Sequence, residues 1–515
     1  MKKFKILLTT GLFLIQWFFA LSQSQYYDIN WLLGYSTNIY KEVPFQGLSI
    51  LQFQKYKNVN YTLVKNTNIS LLYGFDYSCM SDYSGNFLMY TNGCKILNAN
   101  CELMLNGDSI NPGHLWESYD GEYYPLQNGT LFLPHPADTN LYYLLHKGTS
   151  IVKVGNGGYL LPDVIYYSLI DRRLDGGLGA VTQKNEVLIR DSLNESQMAA
   201  CRHANGRDWW IPIRHAGQNL YYFLLLDPSG IRVHHTQRIG PNGPGTEEVY
   251  NGNACFSPQG DRYASCLRKD QLLLMDFDRC NGEFSNPVQL VAADSLETAV
   301  SCCFSPNGRF LYFNDILNLW QFDLQSNKIQ ASKILIAVWD TFYYRNIFPT
   351  AFFQMRLAPD NKIYMSCFGG TSVHLHRINA PNQKGSNCNF ILRNIELINK
   401  HSGILPYFPN FKLGPVIGSS CDSLYKVSIE DDIRIGPNPV QDELTIYFLR
   451  DFTFTLALQF ELYSTDGKLI LNKPLINTFR NHPIDLRGVP EGVYVYRLSF
   501  EEGSIFKSGK VVVLH

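Results

Sequence analysis

Cys255-Phe256-Ser257-Pro258-Gln259-Gly260 is followed by Arg262-Tyr263 and an apolar run from Gln271 to Phe277. The same order returns 48 residues later as Cys303-Phe304-Ser305-Pro306-Asn307-Gly308, with Arg309-Phe310-Leu311-Tyr312 and then Leu319-Trp320-Gln321-Phe322-Asp323. A third copy, Leu357-Ala358-Pro359-Asp360-Asn361-Lys362-Ile363-Tyr364, stands 53 residues beyond the second. Each reads as strand, Pro-containing turn, strand and a further strand. Pro presets the first central turn position, and Gly or Asn accepts the left-handed conformation that closes the turn. Self-similarity at a period of about 40–50 residues marks a repeat array, and one built of short antiparallel strands is an array of sheets.

Weaker copies extend the array toward the N-terminus. Cys201-Arg202-His203-Ala204-Asn205-Gly206-Arg207-Asp208-Trp209-Trp210 puts Gly206 54 residues before Gly260. Asp138-Thr139-Asn140 precedes Leu141-Tyr142-Tyr143, and Ser81-Asp82-Tyr83-Ser84-Gly85-Asn86 precedes Phe87-Leu88-Met89-Tyr90. Blade starts are therefore expected near residues 79, 138, 201, 255, 303 and 357. A seventh blade is expected from the N-terminal strands around Trp31–Leu33 and Leu48–Phe53 joined by Leu405–Leu413, which removes the exposed edge by pairing first and last segments. The Ser-Pro-x-Gly turn resembles that of WD-repeat-like and related bacterial propellers. The expected fold is all-β: an about seven-bladed β-propeller over residues 23–413, then a small immunoglobulin-like β-sandwich.

The sandwich is read from alternation. Phe452, Phe454, Leu456, Leu458, Phe460 and Leu462 alternate with polar or small residues, as do Leu444, Ile446 and Phe448, and Tyr494, Tyr496, Leu498 and Phe500. Asp466-Gly467 between two such runs reads as a hairpin turn. The order of Ile435-Gly436-Pro437-Asn438-Pro439, Tyr463-Ser464-Thr465-Asp466-Gly467-Lys468, Val489-Pro490-Glu491-Gly492-Val493-Tyr494 and Lys510-Val511-Val512-Val513 resembles the C-terminal sorting domain of type IX secretion substrates in Bacteroidetes-type bacteria. The resemblance implies a sorting domain over 428–515, with Pro437, Asn438, Pro439, Asp466, Gly467, Gly492, Tyr494 and Lys510 carrying its motif. It implies an outer-membrane translocon and a sortase-like peptidase as partners, with the cut between Cys421 and Ile435. The product is then released or linked to an anionic surface polysaccharide. Many tails of that family end on a basic residue, whereas this one ends Leu514-His515. Gly414-Pro415-Val416-Ile417-Gly418-Ser419-Ser420-Cys421-Asp422, small and polar, is expected to open a linker over 414–427.

The other end agrees. Lys2, Lys3 and Lys5 precede an apolar run from Ile6 to Leu21, and Ala20 and Ser22 suit a cut before Gln23, so residues 1–22 read as a signal peptide. No later segment has the roughly 18 uninterrupted apolar residues of a spanning helix. With 44 basic and 45 acidic residues the net charge is −1, which disfavours nucleic acid as a partner. Twelve cysteines in an exported chain leave disulfides open; Cys94 with Cys101, Cys255 with Cys266, and the adjacent Cys302-Cys303 draw notice without fixing any pairing.

Several patterns touch on chemistry. Gly107-Asp108-Ser109-Ile110 resembles the nucleophile block of GDS-type lipases, but it lies among turn residues, and no Asp-x-x-His partner follows. His374 and His376, two apart on a strand, and the adjacent His234-His235 would need a third ligand from another blade to hold a metal, so neutral surface histidines are expected. Gly155-Asn156-Gly157-Gly158 and Gly240-Pro241-Asn242-Gly243-Pro244-Gly245 lack the Lys-Ser/Thr and helix start of a phosphate cradle. No cofactor, metal or catalytic residue is expected. The ligand-binding candidate is Arg207, Asp208, Trp209 and Trp210, since paired indoles and a guanidinium stack on sugars or anchor a partner. A structural alternative has Arg207 pair with Asp208 and both indoles fill the core between blades.

His203 to Trp210, Thr91-Asn92-Gly93 with Asn106 to Gly113, and Leu405-Pro406-Tyr407-Phe408-Pro409-Asn410-Phe411 look like parts of the propeller half of surface proteins from gliding or predatory Bacteroidetes. Two functions are carried forward. The preferred one is a secreted or surface-displayed interaction module binding a protein or polysaccharide. The alternative is an extracellular glycan-active hydrolase or lyase with acids at the propeller's central face, for which Asp208, Glu247 and Glu248 are the loose candidates.

Overall fold

In the computed structural model each Ser-Pro turn joins the two innermost strands of a sheet. Gly260 N–H donates to Ser257 O at 2.8 Å, and the Ser257 hydroxyl accepts from Arg262 N–H at 3.0 Å. Gly308 and Ser305 repeat the bond at 2.9 Å, and the hydroxyl takes Phe310 N–H at 2.9 Å. Gly260 and Gly308 have φ of +74° and +69°, a region costly for most side chains. In the third copy Asn361 takes that place at φ +59°. The repeated letters are thus the parts of one turn: a Ser acceptor, a Pro and a left-handed residue.

The structure describes residues 25–34, 48–53, 61–66, 76–122, 124–154, 157–242, 252–267, 271–291, 300–368, 372–422, 433–448, 458–475, 481–500 and 505–515. The signal-peptide reading, Gly155 and Asn156, Gly243 to Gly245, Glu247, Glu248, and Phe452 to Leu456 lie outside them.

The chain divides into two compact units, Ser24–Gly414 and Pro415–His515. Among the described residues, the strands of the first unit form seven antiparallel meanders and a short separate hairpin. The first meander is Asn30–Leu33, Leu48–Phe53 and Tyr61–Asn66; the second is Ser78–Ser81, Phe87–Thr91 and Ile96–Leu97. The third is Thr130–Pro134, Leu141–Val154, Gly157–Asp171 and Ala180–Arg190, and the fourth Cys201–Arg202, Trp209–Arg214, Leu220–Asp227 and Gly230–Arg238. The fifth is Ala254–Phe256, Arg262–Cys266, Gln271–Asp278 and Glu283–Val291. The sixth is Ser301–Phe304, Phe310–Asn314, Asn318–Asp323 and Ile334–Val338. The seventh is Phe352–Leu357, Ile363–Cys367, Ser372–Ile378 and Phe390–His401.

Apolar layers join each meander to the next, and the last joins the first. Trp31, Phe53, Tyr364 and Leu375 pack the seventh against the first, and Leu32, Leu48, Cys79 and Tyr90 pack the first against the second. Asn399 N–H donates to Ser49 Oγ and Ser402 N–H to Gly34 O, both at 2.9 Å, across the first of these seams. Closure of this kind leaves no meander without a neighbour on either face, which is how a propeller buries sheets that are apolar on both sides.

One expectation is corrected. Leu405–Leu413 forms no strand and does not pair with the first meander, which is built from N-terminal segments alone. Pro406 and Pro409 lack the N–H groups a ladder needs.

The second unit packs Ile433–Gly436, Glu443–Phe448 and Asn481–Asp485 in one sheet. Leu458–Ser464, Leu469–Leu475, Gly492–Phe500 and Ile505–Val513 form the other. Leu444, Ile446, Phe460, Leu462 and Leu498 share one core, the inward positions that alternation marks. Asn438 ties the opening loop to the last strand: its Nδ2 donates to Lys510 O at 3.0 Å and its Oδ1 accepts from Val512 N–H at 2.9 Å. Asn438→Ala is expected to lower the stability of this unit by about 1 kcal/mol. Differential scanning calorimetry checks this, since the propeller transition should not move.

Candidate binding cavity at the propeller centre

The segment Ile404–Leu413 runs through the middle of the ring and is tied to meanders on several sides. Tyr77 Oη donates to Ile404 O at 2.8 Å, Leu405 N–H to Gln354 Oε1 at 3.1 Å, and Asn410 Nδ2 to Pro258 O at 2.8 Å. Ala200 N–H donates to Tyr407 Oη at 3.1 Å. Phe411 packs on Tyr27 and Trp209 with ring centres 5.0 and 5.6 Å away, and Phe408 lies 6.5 Å from Trp31. The chain therefore fills part of its own channel. Beside the segment remains a cavity of about 180 Å³, bordered by the Pro258, Pro306 and Pro359 turns and by Asp28, Arg202, Arg356 and Lys412.

The predicted ligand-binding residues lie elsewhere. Trp209 and Trp210 are 0% and 1% exposed, so neither indole offers a face to a ligand, and the expectation is corrected for both. Neighbours on a strand point to opposite faces. Trp209 joins the layer between the third and fourth meanders, under the Arg202 guanidinium at 4.0 Å. Trp210 joins the layer between the fourth and fifth, where its Nε1 donates to Arg279 O at 2.9 Å. A Cβ on Gly282, φ +71°, would stand 2.7 Å from the Trp210 ring, so only glycine lets the turn close over the indole. Arg207 Nε donates to Asp208 Oδ1 at 2.7 Å, and Asn205 holds the carboxylate from Nδ2 at 2.7 Å. Asp208 is buried in this turn and Arg207 is its partly exposed partner.

The other patterns resolve into structure. Ser109 sits at φ +54° with its neighbour Asp108 paired to Lys184 at 3.1 Å, and Asn185 Nδ2 holds Ser109 O at 2.9 Å. Those contacts are those of a pinned turn. Among the described residues no group of three His, Cys, Asp or Glu side chains is placed to hold a metal ion. His376 is fully buried rather than on the surface, with Nε2 on Thr350 O at 2.9 Å, and His374 is half-buried; His234 and His235 pack against Trp210. Cys94, Cys101, Cys255, Cys266, Cys302 and Cys303 carry thiols.

Burial sets the pH response of the propeller. Desolvation pulls His146 and His376 to about 3 and His401 to about 4. In the unfolded chain these rings take protons near pH 6.5, so acid favours unfolding as pH falls from 6.5 toward 4. Burial pushes Asp76 and Glu195 up to about 7, which acts the other way: over pH 4 to 7 the folded form holds more protons, and stability grows as pH falls. Burial also lowers His135, His203, His235 and His374 and raises Asp28 and Asp360, so seven histidines stand against four carboxyls and leave a net loss toward acid. Asp76→Asn keeps an acceptor for Gly129 N–H and Thr130 Oγ1 but removes one counterweight. Denaturant titrations at pH 7 and 5 should then show acid lability steeper by up to about 1.4 kcal/mol per pH unit.

Residues 434–513 match the family model of the secretion system C-terminal sorting domain. The second unit is a type IX sorting domain. It directs the protein to the cell surface or beyond it, and among the described residues no helix is long and apolar enough to cross a membrane. No curated protein matches the chain. Among solved structures, it is similar to a putative 6-phosphogluconolactonase from Bacteroides uniformis, at 11% identity over 89% of this chain and 99% of that one, with a TM-score of 0.35. The periplasmic gluconolactonase of Pseudomonas aeruginosa aligns at 12% identity over 74% and 99%, TM-score 0.35. A β-propeller domain of Cps50 (Swd1) from Myceliophteria thermophila aligns at 11% over 63% and 88%, TM-score 0.27.

Sequence reasoning missed the cavity and its arginines. Arg356 sits between Met355 and Leu357 on the innermost strand of the seventh meander. Nothing local separates it from an ordinary polar position on a strand; its role depends on ring closure.

Proposed function

We propose that this is an exported interaction protein. The sorting domain carries the propeller through the periplasm and the outer-membrane translocon, a sortase-like peptidase removes the tail, and the seven meanders act as seven blades presenting a surface to a protein or polysaccharide. The observation that carries the reading is the placement of Ile404–Leu413. The chain's own Pro406, Tyr407, Phe408 and Pro409 occupy the central region where a glycan-cleaving propeller would gather its acids. Asp28 is the single carboxylate bordering the cavity among the described residues, whereas glycoside hydrolysis by paired carboxyls takes two. Asp208 is committed to Asn205 and Arg207, away from it.

The test is retention of the mature protein on immobilised polysaccharides and surface proteins. Saturable retention on a subset of the panel is the expected result; passage through every column contradicts the reading.

A further inference from the structure

Arg356 is 6% exposed and reaches across the ring to the approach of the third meander, where Nη2 donates to Asn128 Oδ1 at 2.9 Å. Nη1 donates to the carbonyl of its own neighbour Met355 at 3.1 Å, and Nε meets no acceptor. The guanidinium lies 5.5 Å from the Tyr407 ring centre, with Cys303, Cys255 and Cys302 also near it, and among the described residues no carboxylate forms an ion pair with it. Burial draws its pKa down, yet a guanidinium keeps its proton inside proteins. A buried, unneutralised cation is among the most unfavourable features a core can hold. This one borders a cavity.

The cavity has about 180 Å³, many times the roughly 10–15 Å³ that a single water needs. That is the scale of one small ring with its substituents. Tyr407 and Phe408, both half-buried, give it aromatic walls, and exposed Lys412 stands at its rim. Asp28 borders it too, near Lys412, with its Oδ1 lacking a hydrogen-bond partner. The wall thus offers a cation without a counter-charge, an acceptor without a donor, and aromatic surface.

We propose that this cavity binds a carboxylate-bearing sugar of the uronate type, whose carboxylate neutralises Arg356 while a hydroxyl donates to Asp28 and the ring lies along Tyr407 and Phe408. The inference rests on the interaction reading and supplies its ligand class: an acidic polysaccharide recognised through one uronate residue.

Calorimetric titration of the full mature chain with glucuronate, glucose and inorganic phosphate tests it. Glucuronate should bind at one site per chain, with glucose and phosphate each at least about tenfold weaker. Arg356→Met, similar in length but uncharged, should weaken glucuronate by about tenfold to a hundredfold, the worth of a charge-assisted hydrogen bond. Lys412→Ala, on an exposed side chain, should weaken it roughly twofold to fivefold at low salt and less at high salt. Equal binding of glucose or phosphate, or unchanged glucuronate binding in either variant, overturns the proposal. Retention of acidic polymers without any glucuronate binding would remove this inference and leave the interaction reading standing. Glucuronate binding accompanied by polymer shortening would do the reverse.

Discussion

A chain lacking residues 428–515 is expected to fold its propeller and to remain in the periplasm. Both halves of that result follow from where the cores lie. Every apolar layer of the propeller draws on residues up to Leu413, while the core of the C-terminal unit draws on residues from Ile417 onward. Among the described residues, loss of the second therefore takes no side chain from the apolar layers of the first. The same deletion removes the whole segment that matches the sorting-domain model. Export should fall to background rather than decline by degrees, because a translocon that reads a folded domain has nothing to read. Fractionation with an antibody against the propeller, next to a melting curve of the periplasmic product, checks both statements. Truncated protein at the cell surface or in the medium would contradict the sorting role. A truncated protein without a cooperative transition would contradict the independence of the two cores.

Trp210→Ala is expected to destabilise the propeller by about 3–5 kcal/mol, the range for emptying a buried aromatic site. The indole shares its layer with Tyr221, Phe223 and Phe284 and is flanked by the His203, His234 and His235 rings at 5.5, 5.1 and 6.0 Å; its N–H is bonded to Arg279 O, and Gly282 closes over its ring. Such packing has little freedom to collapse into the space left behind, which places the cost toward the upper end. The Arg279 carbonyl also loses its donor. Denaturant unfolding followed by tryptophan fluorescence, which reports the propeller alone because residues 415–515 hold no Trp, should show a lower midpoint at unchanged slope. Were the Trp209-Trp210 pair a ligand platform, the variant would lose affinity and keep its midpoint. The two readings differ in which measurement moves.

The turns were legible because their causes are local. Ser257, Pro258 and Gly260 carry within a few residues the acceptor, the fixed φ and the left-handed position that the turn needs, and the repeat then gives the array. Alternation in the tail worked for the same reason: Leu444, Ile446 and Phe448 face one core because a strand has period 2. Period 2 also predicts that Trp209 and Trp210 part to opposite faces, so their use as one joint patch was a reading the sequence itself argues against. Leu405–Leu413 misled because its apolar residues resemble a strand. What decides its path is distant: Gln354, Tyr77, Ala200 and Pro258 supply its partners. Arg356 was illegible for a stronger reason. It is joined to Asn128 across 228 residues of chain, and only closure of the ring brings the two together.

A binding propeller leaves its ligand intact, and a catalytic one consumes it. The most direct measurement incubates the mature protein with an acidic polysaccharide that it retains and follows polymer length by size-exclusion chromatography with light scattering. A length distribution that stays constant while the protein remains bound is the predicted result. Progressive shortening in proportion to protein added would contradict it and place catalysis at the propeller.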